Sequence, residues 1–97
     1  MRVDSGITNV GTAGTAVQVS NVTNRVKQVE FKALAGNSGL VYVGESDVSA
    51  SNGFELSAGN TKTFNFGEFG GSVPANVWYV DAASNNDKVA WSMILEG

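Results

Sequence analysis

Cysteine and histidine are absent from the 97 residues, proline occurs once, and charged side chains make up only 15% of the chain. Each absence excludes a chemistry. Without cysteine there is no disulfide framework, no thiol nucleophile, no zinc–thiolate site and no clue to redox compartment. Without histidine the commonest general base and the commonest transition-metal ligand are both missing. Six basic against nine acidic residues leave a formal charge of −3, so the basic face that nucleic acid requires is not available. No run approaches the roughly 20 apolar residues of a membrane span. The opening Met1-Arg2-Val3-Asp4-Ser5-Gly6 has no apolar signal core. Nucleic acid, membrane, metal and cofactor are therefore not expected partners.

What remains is apolar enough to fold: 42% hydrophobic and 9% aromatic residues, with twelve glycines. A chain of this length has room for one modest core. The first fourteen residues are small and polar and show neither a helical nor a strand period, so 1–14 read as an extended N-terminal arm. From Thr15 the pattern changes. Thr15–Ser20 alternates, and Val26–Ala35 does so cleanly, with Val29, Phe31 and Ala33 on one side and Gln28, Glu30 and Lys32 on the other. Leu40–Gly44, Phe54–Ala58, Thr61–Phe66, Asn76–Ala83 and Lys88–Leu95 complete the series. A strand with one wet face gives this alternation, whereas Leu40–Gly44 and Asn76–Ala83 are apolar on both faces. Gly36–Gly39, Gly59-Asn60 and Ser84–Asp87 sit between such runs and read as hairpin turns. Gly67–Ala75, with three glycines and the proline, reads as a loop or crossover.

Seven to eight strands at a spacing of about ten residues, with no helical pattern, predict an all-β antiparallel sandwich over 15–97. The jelly roll is the expected variant because hairpins and longer crossings alternate. An immunoglobulin-like sandwich without its paired cysteines is the alternative.

Catalytic constellations are weak. The serines and threonines have no histidine to activate them, and no S-x-x-K motif occurs. Glu45, Asp47, Glu55, Glu68, Asp81 and Asp87 are carboxylates that could pair across a cleft, but solvated charges on a small sheet are the simpler reading. Glu45 to Ser51 and Asn85 to Asp87 are oxygen-rich, yet neither has calcium-loop spacing, and turn geometry accounts for both. Gly67-Glu68-Phe69-Gly70-Gly71 lacks the G-K-[ST] ending of a phosphate loop. No enzyme is expected.

The informative feature is a surplus of apolar residues. With Val41 and Val43 inward, Tyr42 points out. With Trp78, Val80 and Ala82 inward, Val77 and Tyr79 point out, and with Trp91 and Met93 inward so does Ile94. A face carrying Tyr42, Val77, Tyr79 and Ile94 calls for a cover, and another subunit is the favoured one. Ile7 and Val10 are the apolar residues of the arm and join the interface candidates. An outward Tyr42 or Tyr79 would also suit stacking on a sugar.

Gly39-Leu40-Val41-Tyr42-Val43-Gly44, Ser46-Asp47-Val48-Ser49 and Asn52-Gly53-Phe54-Glu55-Leu56 together resemble small β-sandwich proteins of tailed-bacteriophage virions. Val77-Trp78-Tyr79-Val80-Asp81-Ala82 and Val89-Ala90-Trp91-Ser92 are similar in kind, so the resemblance spans roughly residues 15 to 95. The nearest family is the jelly-roll head decoration, or cement, proteins. The resemblance implies a protein made in the host cytoplasm that binds the major capsid protein on the outer surface of an icosahedral head, stabilises it, and assembles as a homotrimer. It implies no catalytic residue, and a terminal arm that contacts the capsid. A carbohydrate-binding module of the head or tail is the alternative function.

Overall fold

Nine strands make up about half of the described residues, 2–66 and 72–96, in the computed structural model. They are β1 (Arg2–Val10), β2 (Val17–Gln18), β3 (Arg25–Ala33), β4 (Val41–Gly44), β5 (Phe54–Leu56), β6 (Thr61–Asn65), β7 (Val73–Pro74), β8 (Tyr79–Ala82) and β9 (Asp87–Leu95), with a 3₁₀ turn at Ala75–Val77 before β8. Of the stretch 67–75, read from sequence as a loop or crossover, residues 67–71 lie outside the described residues, and Val73–Pro74 is instead the short strand β7, paired with Arg25 and Val26 of β3.

The pairing is nested. β1 pairs with β9, β2 with β8, β3 with β6 and β4 with β5, all antiparallel. β9 also joins β3, and β8 joins β4. The result is two sheets, β1-β9-β3-β6 with the short β7 also on β3, and β2-β8-β4-β5. An antiparallel ribbon rolled so that its nested pairs alternate between two sheets is a jelly roll. The sandwich expected from the alternation is thus the observed architecture.

The core lies between the inner faces. β3 supplies Val29, Phe31 and Ala33, β9 supplies Val89, Met93 and Leu95, and β4 and β8 answer with Val41, Val43, Val80 and Ala82. A bulge between Val26 and Gln28 lets Val26 turn inward as well, out of step with the later residues of β3. Trp78 fills one end against Phe31, Phe64 and Phe66, with ring centroids 5.3, 5.0 and 6.2 Å away. Phe54 shares the inner side of its sheet with Val43, but it stands on an edge strand and is 44% exposed, not in the core. Lys62 Nζ lies 4.7 Å from its ring centre.

Two further sequence expectations change here. The first concerns 1–14. Residues 2–10 are a full strand, matched to β9 from Arg2↔Leu95 to Val10↔Asp87, and Val10 is completely buried. No separate arm exists over that stretch. The second concerns the turns. Gly36–Gly39, Gly59-Asn60 and Ser84–Asp87 do reverse the chain, but each carries it from one sheet to the other rather than into a hairpin. Asp87 fixes the first crossing: its two carboxylate oxygens accept from Ser38 N and Gly39 N, each at 2.9 Å. Asn37 completes it, its side-chain amide exchanging two hydrogen bonds with the Lys88 backbone as a neighbouring strand would. Turn residues specify a reversal; they do not specify which sheet receives the next strand.

Candidate functional site

The outer face of the first sheet follows from register, since directly paired residues point the same way. On β1 it carries Val3, Ser5, Ile7 and Asn9, opposite Ile94, Ser92, Ala90 and Lys88 of β9. β3 and β6 continue it with Gln28, Glu30, Lys32, Thr61, Thr63 and Asn65. The face is therefore divided. Its β3–β6 half is polar, and Thr63 Oγ1 donates to Glu30 there at 3.1 Å. Its β1–β9 half is apolar at Val3, Ile7, Ala90 and Ile94. Val3 is 70% exposed and Ile7 63%. No other described element lies over them.

The inner side of β1 explains why the strand docks at all. Gly6 is paired with Trp91. A Cβ at Gly6 would come within 2.8 Å of Trp91 Cζ2, so the missing side chain lets the indole lie flat across the strand. Trp91 Nε1 then donates to Thr8 Oγ1 at 3.1 Å. Nearer the start, Arg2 and Asp4 share the inner side with Leu95 and Met93 and approach each other to 3.7 Å. Charges turned inward on an edge strand deter pairing with a foreign strand. The face of β1 is thus freer to accept a partner than its edge.

The second sheet differs. Its outer face carries Tyr42, Asp81, Glu55, Tyr79 and Gln18. Tyr42 is only 6% exposed. The chain covers this part of the face itself: Gly14 N donates to Asp81 Oδ1 at 3.0 Å, and residues 13–14 and 49–51 wall a hollow of about 610 Å³ against Asp81 and Ala82. The expectation that another subunit covers Tyr42 is corrected accordingly. Further along, Tyr79 is half-buried and lines an open depression with Gln18, Glu45, Ser46, Asn76 and Val77.

The six interface candidates therefore do not form one patch. Ile7 and Ile94 share the outer face of the first sheet; Tyr79 and Val77 share the depression on the second. Tyr42 and Val10 are buried, which removes both as contacts. Val3 was not among the candidates. Its signal is faint because the inner side of β1 reads Arg2, Asp4, Gly6, Thr8, Val10, with no run of apolar residues to reveal the alternation.

Two of the carboxylates weighed as catalytic are occupied. Asp81 Oδ1 accepts from Gly14 N and Ala82 N, and Asp87 accepts from the 38–39 backbone. Glu68 lies outside the described residues. Among the described residues no group of three or more Asp and Glu side chains could hold a metal ion, and no helix is long and apolar enough to cross a membrane.

No family model matches the chain, and no curated protein matches it. Among solved structures, the SPBc2 prophage-derived protein YomS is similar over 98% of this chain and 95% of its own, at 10% identity and a TM-score of 0.42. Bacillus endospore appendages, which form disulfide-linked pili, are similar over 98% of this chain and 88% of theirs, at 12% identity and a TM-score of 0.41.

Proposed function

We propose that this protein is a structural component of a phage virion, a decoration protein that docks on the outer surface of the head through the outer face of β1 and β9. One observation carries the reading: Val3 and Ile7 stand bare on the edge strand of a rigid sandwich, beside Ala90 and Ile94. The resemblance of residues 15 to 95 to head decoration proteins supplies the occupant, the major capsid protein.

The size of the patch bears on how it would work. A stable interface usually takes some 20–30 residues a side. Four apolar side chains fall far short of that. A single copy would bind weakly, whereas three linked copies on a repeating lattice gain by effective concentration. The homotrimer that the resemblance implies meets this need. The −3 charge keeps the unbound protein soluble.

The test is a mass measurement followed by docking. Light scattering should give three times the chain mass, and the protein should pellet with undecorated heads. A monomer that does not pellet would remove the proposal.

A further inference from the structure

The open depression on the second sheet is not used by this docking reading. Its volume is about 320 Å³, and Gln18, Glu45, Ser46, Asn76, Val77 and Tyr79 line it. It lies on the opposite layer of the sandwich from Val3 and Ile7, so the two surfaces can be occupied together.

The depression is assembled from three distant pieces of chain. Tyr79 is held on β8 between Gln18 of β2 and Gly44 of β4. Gly44 presents no side chain beside the ring. Gln18 Nε2 donates to Asn76 O at 2.8 Å, which fixes the amide and leaves its Oε1 as an acceptor. The side chains of Glu45, Ser46 and Asn76, and the Tyr79 hydroxyl, are bonded to no other described residue. A half-buried aromatic ring thus sits among an amide oxygen, a carboxylate, a hydroxyl and a second amide, all with spare hydrogen-bonding capacity.

We infer that this depression binds a neutral saccharide, one of its rings resting on Tyr79 and its hydroxyls bridged by Gln18, Glu45 and Asn76. The chemistry selects that class. No Lys or Arg lines the site and Glu45 is acidic, so an anionic ligand is disfavoured. The lining is too polar for a purely apolar one. A sugar offers both C–H faces for an aromatic ring and neighbouring hydroxyls for planar amides and carboxylates. The volume is at the low end of ligand sites, about 300–1,000 Å³, which suits a short saccharide and a modest affinity.

The experiment is an amide-shift titration of the full chain with cellobiose, maltotriose, xylotriose and N-acetylchitotriose, each taken to millimolar concentration. At least one should give saturable shifts centred on Gln18, Glu45, Asn76 and Tyr79. Tyr79→Ala should weaken that binding about tenfold or more, a loss of ~1.4 kcal/mol, while Tyr79→Phe keeps it. Glu45→Ala, on an exposed loop where folding is not at risk, should weaken it severalfold. Val3→Lys should leave it unchanged, which separates this site from head docking. No shifts with any of the four sugars, shifts centred elsewhere, or undiminished binding by Tyr79→Ala or Glu45→Ala would each overturn the inference.

Discussion

Gly6 is the residue on which the docking of β1 turns, because it leaves room for a tryptophan. A side chain there meets the Trp91 ring at 2.8 Å, and the ring is tethered to Thr8. Gly6→Val should therefore destabilise the fold by about 1–3 kcal/mol, the usual cost of overpacking. Urea denaturation checks it; an unchanged midpoint would mean that the indole is not locked. Asp87 is a second such residue. Asp87→Ala strips Ser38 N and Gly39 N of their acceptors and should cost about 2 kcal/mol. The same melts would reveal it. Neither role is legible in the sequence. Gly6 stands among small polar residues that read as an arm, and Asp87 reads as one more turn residue. Each acts through a partner 48 or more positions away, Trp91 and the 38–39 turn. By contrast Phe31 and Met93 are readable as core from alternation alone, because their neighbours on the strand are their own evidence.

At the scale of elements, β1 decides between two accounts of the N-terminus. A free arm could be cut away without harm. A strand paired along nine residues with β9 could not. Deleting residues 1–10 would bare the edge of β9 and open the core at Val10 and Val89. That loss is comparable with the whole stability of a small domain, about 5–15 kcal/mol. The truncated chain should show no cooperative thermal transition by circular dichroism. A normal transition would restore the arm. Most other strands are legible to within a few residues, β3 and β9 from one wet and one dry face, β4 and β8 as apolar runs between turn signals; β7 is not, because Val73-Pro74 sits in a stretch that reads as a loop. β1 was not, because its dry side is Arg2, Asp4, Gly6 and Thr8 before it reaches Val10. The three tight turns are legible as reversals, but their chemistry reads equally as that of hairpins. Their local chemistry is the same whether the next strand joins the same sheet or the facing one, and only the nested long-range pairing decides.

For the whole molecule, the two layers present different surfaces. The first sheet offers Val3, Ile7, Ala90 and Ile94, interleaved with polar residues, on the outer side of β1 and β9; the second offers a polar depression around Tyr79, and Tyr42 and Asp81 beside it are buried. The sequence foresaw that apolar residues would be left over outside the core. It could not sort them between layers, because that requires knowing which strands share a sheet. Substituting Val3 and Ile7 by lysine should leave the melting curve within about 0.5 kcal/mol of wild type, as exposed positions usually do. If the proposed function is right, it should also abolish attachment to phage heads. The most direct test of the proposed docking is therefore co-sedimentation with undecorated phage heads, wild type beside the Val3→Lys/Ile7→Lys variant. The account predicts that the wild type pellets with the heads and the equally stable variant stays in the supernatant. Equal pelleting of the two proteins would contradict it.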